Sequence, residues 1–187
     1  HLAILHEVDK NTDISLSQFY PTHMNRNKAL LDAGILFCEA GGTIDFTTST
    51  TEYDLAHGEY AAAQALAYCL THNVKPTQLT MSSDGHASLP IFDEQFNLLG
   101  LEIGKEASLL GAFQQAIRQY EVSIEHALMA ITTNPANVLG IKKGTISKGS
   151  DADLVLLDSN TLAPQHVWSN GIHMVEHGFA IIKGAFE

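Results

Sequence analysis

At about 150 residues per domain, a chain of 187 residues holds one domain, or one with a small appendage, and its 45% of apolar residues argues against a disordered protein. Ten Lys and Arg against 21 Asp and Glu leave a formal charge of −11, which repels a phosphate backbone; with no basic cluster to offset it, nucleic acid is not an expected partner. No apolar run reaches the roughly 18 residues of a membrane span.

The chain opens at His1 as if within a helix: Leu2 to Val8 is apolar at helical spacing and fades into the polar turn Lys10-Asn11-Thr12-Asp13. Ile14 to Thr22 reads as a strand, with Pro21 tolerated at its end. His23 to Asn27 is a loop, Asn27 is an N-cap for a helix from Lys28 to Ala40, and Gly41-Gly42 stops it. Thr43 to Thr48 is a second strand, rich in β-branched residues. A single helix is expected from about Leu55 to Thr71, then a third strand from Gln78 to Ser82 that runs into a turn-rich loop, Ser83 to Pro90. Helices follow at Glu106 to Tyr120 and, capped by Ser123, at Ile124 to Thr132, and Asn134-Pro135 starts a short helical turn. This alternation predicts an α/β body with a parallel sheet.

The texture changes near residue 140. Lys143 to Gly149 reads as a tight hairpin and Asp153 to Leu157 as a buried strand. Val167 to Ser169, Asn170-Gly171 and Ile172 to Val175 form a hairpin with a type I′ turn, and Phe179 to Ile182 is a last strand. Two domains are therefore expected, 1–139 and an all-β 140–187. Cys38 and Cys69 have no ligand spacing and read as two reduced core thiols of a cytoplasmic protein.

In parallel α/β folds the chemistry sits beyond the C-terminal ends of the strands. Three ends are visible here, Thr22-His23-x-x-Arg26, Thr47-Thr48-Ser49 and Ser82-Ser83-Asp84-Gly85. Alone, His23 reads as an ordinary loop histidine ahead of a metal ligand, and Asp84 as a turn residue before Gly85 ahead of a ligand or general base. Together, an imidazole and a carboxylate at one sheet face, with a guanidinium close by, suit a divalent cation and an anionic substrate group. His86 reads as a surface residue or an outer partner of that pair. His57, His72, His126, His166, His173 and His177 read as structural. No G-x-S-x-G elbow, P-loop or dinucleotide fingerprint is present.

Three segments, Pro21-Thr22-His23-Met24-Asn25-Arg26-Asn27, Gly41-Gly42-Thr43-Ile44-Asp45-Phe46-Thr47 and Leu79-Thr80-Met81-Ser82-Ser83-Asp84-Gly85-x-x-Ser88-Leu89-Pro90, resemble the second half of the isoaspartyl dipeptidases, which are β-aspartyl peptidases of the amidohydrolase superfamily. The tail from Lys143 to Asp158 is similar to that superfamily's general C-terminal signature. The resemblance implies the last three βα units of a (β/α)8 TIM barrel, followed by a segment of a composite β-sandwich. It implies that His23 ligates one of two zinc ions, or other divalent metals, and that Asp84 ligates the second. Asp84 would also be the general base that takes a proton from a bridging hydroxide and passes it to the leaving amine. Arg26 and Ser88 would hold a carboxylate of a small dipeptide substrate. Three strands cannot close a barrel of about 250 residues, so the chain is expected to be the C-terminal portion of a longer homo-oligomeric enzyme, partnered by the missing N-terminal half of the barrel. Two rival readings stay open: a cyclic-amide hydrolase of the dihydroorotase or hydantoinase type, and a non-catalytic fragment or assembly module.

Overall fold

Asn27 caps the first long helix by accepting a hydrogen bond from the Leu30 amide, and the helix runs as α2, Lys28–Glu39, after a short α1, Ala3–Asn11. These elements come from a computed structural model that describes residues 2–93 and 95–184; His1 lies outside them. α2 buries Leu31, Ile35, Phe37 and Cys38. It leads through Gly41, in the left-handed region at φ 98°, into β1, Ile44–Thr47, all four of whose residues are buried.

β1 and β2, Leu79–Ser82, pair in parallel with Asp45 opposite Thr80 and Thr47 opposite Ser82. Between them lie α3, Glu52–Ala56, and α4, Ala62–Thr71. The single helix expected from Leu55 to Thr71 is therefore two. A capping box between Thr51 and Asp54 starts the first, and Gly58, at φ 99°, breaks the run because that conformation cannot continue a helix. Ala62, Ala63 and Ala65 let α4 pack closely against β1 and α5, Ser108–Arg118. α6, Ile124–Ile131, starts at Ser123, which accepts from the His126 amide, and covers β2. α7, Thr133–Leu139, ends on Gly140 in the left-handed conformation. Phe37, Phe46, Phe113, Leu66 and Leu79 are among the largest side chains of the core these elements enclose.

The segment expected as the strand Ile14 to Thr22 is not one. It begins as a 3₁₀ turn, Leu16–Gln18, and then runs extended beside β1. The Asp45 amide donates to Pro21 O at 3.0 Å and the Met24 amide donates to Asp45 O at 3.0 Å. A regular parallel bridge spans two residues, and this one spans three, so Thr22 and His23 bulge outward; Pro21 has no N–H with which to extend the ladder.

The loop expected from Ser83 to Pro90 gives way to an antiparallel hairpin, β3 (Ser88–Phe92) with β4 (Leu98–Ile103). Its outward residues include Leu99, Leu101 and Ile103, all exposed, so apolar burial gave no signal for it. Beyond α7, Lys143 to Gly149 forms bends and turns and no hairpin. A four-stranded antiparallel sheet follows: β5 (Leu154–Leu157), β6 (Pro164–Ser169), β7 (Ile172–Glu176) and β8 (Phe179–Ala180). β5 is not the buried strand expected, for Val155 and Leu156 are 58% and 54% exposed. The turn Asn170-Gly171 has both residues at positive φ, 50° and 77°, as a type I′ hairpin requires. The fold is mixed α/β.

Candidate active site

Asp45 is the polar centre from which the candidate site is built. Its carboxylate is 1% exposed, in a strand whose neighbours Ile44 and Phe46 face the core. Thr80 Oγ1 donates to Oδ1 at 2.7 Å, and Thr22 Oγ1 and Ser82 Oγ donate to Oδ2 at 2.7 and 2.5 Å. The Tyr20 hydroxyl lies 3.3 Å from Oδ1 and 2.5 Å from Thr80 Oγ1. Burial, and then the Asp45 charge, push the Tyr20 phenol up to about 12. A buried carboxylate survives only when its oxygens are satisfied, and these hydroxyls satisfy it. They come from two segments, the stretch before His23 and the strand before Asp84. Sequence reading assigned Asp45 no role. The available signal was an acidic residue between two core-facing apolar residues of one strand.

His23 follows Thr22 on the bulge, in the left-handed region at φ 58°. Behind it Met24 is buried, and Asn25, 0% exposed, fastens the loop to the end of β1. Asn25 Oδ1 accepts from the Thr47 amide at 2.9 Å, and Nδ2 donates to Thr47 O and Tyr60 O at 3.1 and 2.7 Å. Asp84 is also left-handed, at φ 49°, in a turn closed by the Ala87 amide donating to Asp84 O. Gly104 lets that turn come close, since a Cβ there would stand 2.6 Å from Asp84 O. Two residues at positive φ, one beyond each strand, mark a site where backbone strain is tolerated.

The two side chains meet: His23 Nε2 lies 4.0 Å from Asp84 Oδ2, each side chain 35% exposed. His23 Nδ1 is buried with no hydrogen-bond partner. An imidazole and a carboxylate are both ligands of divalent cations, so the pair fits in donor chemistry. Two ligands of one tetrahedral ion stand roughly 3.4 Å apart, and the 4.0 Å here is wider, the spacing of donors to two adjacent ions. Among the described residues no cluster of three or more His, Cys, Asp or Glu gathers for a metal, so this chain offers two donors there.

Arg26 points into an ion pair with Glu59, Nη1 to Oε1 at 2.6 Å, with side chains 40% and 12% exposed. Glu59 Oε2 is buried and unpartnered. Ser88 stands exposed at the start of β3, four residues past Asp84, and makes no side-chain hydrogen bond among the described residues. The structure thus joins His23 to Asp84 and Arg26 to Glu59, and leaves Ser88 apart. His86 pairs with Glu106 at 2.5 Å on the surface. His57 and His72 bond the Tyr53 and Tyr68 carbonyls of their own helices.

Residues 43–183 match the sequence model of the amidohydrolase family. The chain is similar to a β-aspartyl dipeptidase of Fervidobacterium islandicum AW-1 solved in complex with a β-Asp-Leu dipeptide: 29% identity, TM-score 0.84, over 98% of this chain and 47% of that one. Shorter stretches are similar to curated relatives. An imidazolonepropionase of Thermoplasma volcanium is 35% identical over 80 residues, 41% of this chain and 20% of that protein. A dihydroorotase of Clostridium botulinum is 38% identical over 56 residues, 30% of this chain and 14% of that protein. The chain spans less than half the length of each of these proteins.

Proposed function

The chain belongs to the amidohydrolase family, and from that premise we propose that it serves in the metal-dependent hydrolysis of β-aspartyl dipeptides. The observation that carries this reading is the meeting of His23 and Asp84 at 4.0 Å beyond neighbouring strand segments. The likeness to a dipeptidase that holds β-Asp-Leu supports the substrate class. In this reading the body is the last three βα units of a (β/α)8 barrel and residues 140–187 are part of a β-sandwich. The enzyme is a cytoplasmic homo-oligomer.

His23 would hold one of two cations and Asp84 the other, zinc or another divalent ion. When bound, such an ion supplies Lewis acidity at the scissile carbonyl and makes an attacking water acidic enough at neutral pH. Asp84 receives the proton that water loses on adding to the carbonyl carbon, then delivers it to the amide nitrogen as the C–N bond breaks. Arg26 matches a free carboxylate of a β-linked aspartyl residue through its planar fork of N–H donors, with the Ser88 hydroxyl as a second contact. Glu59 holds the guanidinium in place.

The test is turnover by the native protein that carries this chain. β-Asp-Leu is expected to be hydrolysed faster than dihydroorotate, and Asp84→Ala to abolish it. Retained turnover in that variant overturns the role of Asp84, and preference for the ring substrate overturns the substrate class. The stretches shared with dihydroorotase and imidazolonepropionase favour cyclic-amide hydrolysis as the second reading. The two-donor set favours a third, in which the isolated chain binds a cation weakly and is a non-catalytic module.

A further inference from the structure

A second pair of ligating side chains lies far along the chain, on the antiparallel sheet of the tail. His166 of β6 and His173 of β7 meet as diagonal neighbours across the hairpin, where His173 stands opposite Trp168, with His166 Nδ1 3.1 Å from His173 Nε2. Their rings are 5.3 Å apart at 25°, and Trp168 stacks on His173 at 4.7 Å and 13°. All three residues are half-buried. The frame is firm: at the hairpin tip the Asn170 amide donates to Asp153 Oδ1 at 2.8 Å and the Gly171 amide to Ala152 O at 2.9 Å.

We propose that His166 and His173 form a bidentate site for one borderline divalent transition-metal ion, with solvent completing its coordination. Nitrogen donors about 2.0–2.1 Å from an ion stand roughly 2.9 Å apart at a right angle and roughly 3.4 Å apart at a tetrahedral one. The 3.1 Å separation falls between these values, so an ion set to one side of the N···N line reaches both nitrogens once the rings turn about their side-chain bonds, with the strands in place. Both rings stay neutral. The ring that donated its proton carries it on the other nitrogen instead, a change of tautomer. His177 lies edge-on to His166 at 4.9 Å, and among the described residues no third ligand completes a metal cluster. Two imidazoles select Cu²⁺, Ni²⁺ and Zn²⁺ over Mg²⁺ and Ca²⁺, with Cu²⁺ tightest. The net charge of −11 raises the local concentration of cations.

Trp168 is the one tryptophan of the chain, so its fluorescence reports on this site alone and does not depend on the dipeptidase reading. Titration of the chain with CuCl₂ or NiCl₂ is expected to give saturable quenching at one ion per chain, reversed by EDTA. Loss of an outer partner of a metal site costs 10–100-fold in affinity, so His166→Gln and His173→Gln, which remove direct ligands, should each weaken binding by about tenfold or more. His126→Gln should leave the isotherm unchanged. An unchanged isotherm in the His166→Gln/His173→Gln double variant, or quenching that never saturates, overturns the proposal. If the variants do not fold, NMR of the unaltered chain decides. With Zn²⁺ the C2–H signals of His166 and His173 shift together ahead of those of His72 and His126, and any other pair shifting first overturns it.

Discussion

Ser82 Oγ donates to Asp45 Oδ2 at 2.5 Å, tying the strand that ends two residues before Asp84 to its buried neighbour. Thr22 donates to the same oxygen at 2.7 Å from the residue before His23. One carboxylate therefore sets the relative height of the two segments that deliver the imidazole and the acid. Asp45→Asn keeps the shape but removes the charge and half the acceptor capacity, and hydrogen bonds to charged groups contribute about 1.5–3 kcal/mol. Urea unfolding should show a loss of about 1–3 kcal/mol, with Asp45→Ala losing more because the hydroxyls then face no acceptor. An Asn variant as stable as the unaltered chain would mean that the hydroxyls do not need the charge.

Alkaline pH should destabilise the chain through two buried thiols and the part-buried hydroxyl of Tyr20. Burial pushes the Cys38 and Cys69 thiols up from 9.0 to about 12, and burial with the Asp45 charge pushes Tyr20 from 10.0 to about 12. A proton held more tightly in the folded chain than in the unfolded one makes stability fall as pH rises. The contribution is whole below about 9 for the thiols and about 10 for Tyr20, and is gone above about 12. Denaturation followed from pH 8 to 12 should show this decline. Both thiols should resist iodoacetamide at pH 8.5 until denaturant is added, and rapid alkylation of the folded chain would contradict their burial.

Much of this was legible from local chemistry. Asn27, Ser123 and Asn170-Gly171 act through side chains or backbone states that belong to their own few residues, so sequence placed those caps and that turn. His23 and Asp84 were legible because each follows a recognisable strand-like segment. What escaped was set by distant partners or by missing burial. The bulge at Thr22-His23 depends on how Asp45 meets Pro21 and Met24, the β3–β4 hairpin keeps its apolar residues exposed, and Glu59 and the His166/His173 pair gain meaning only from a neighbour remote in sequence.

Asp84→Asn separates chemistry from folding. Asn tolerates the left-handed conformation that Asp84 adopts at φ 49°, so the backbone has no reason to move. The melting temperature should stay unchanged while kcat on β-Asp-Leu falls by about 10²–10⁴-fold, the usual contribution of a positioned acid or base. A drop in melting temperature with kcat intact would assign Asp84 to the turn and not to the reaction.

The Arg26–Glu59 pair allows a cycle of variants that distinguishes a binding role from a structural one. Glu59 is nearly buried; Arg26 pairs with its Oε1, and its Oε2 has no hydrogen-bond partner. Arg26→Ala strands that charge. Exposed pairs contribute about 0.2–1 kcal/mol and breaking buried ones costs about 3–5, so this half-exposed pair should lose an intermediate amount, about 1–3 kcal/mol. Arg26→Ala/Glu59→Ala removes the stranded charge as well and should recover part of that loss. Activity should not follow stability. If Arg26 holds the substrate carboxylate, the double variant stays as impaired in kcat/KM as Arg26→Ala, while Glu59→Gln raises KM and leaves kcat near its original value. A double variant that regains both stability and kcat/KM would show that Arg26 serves the fold alone.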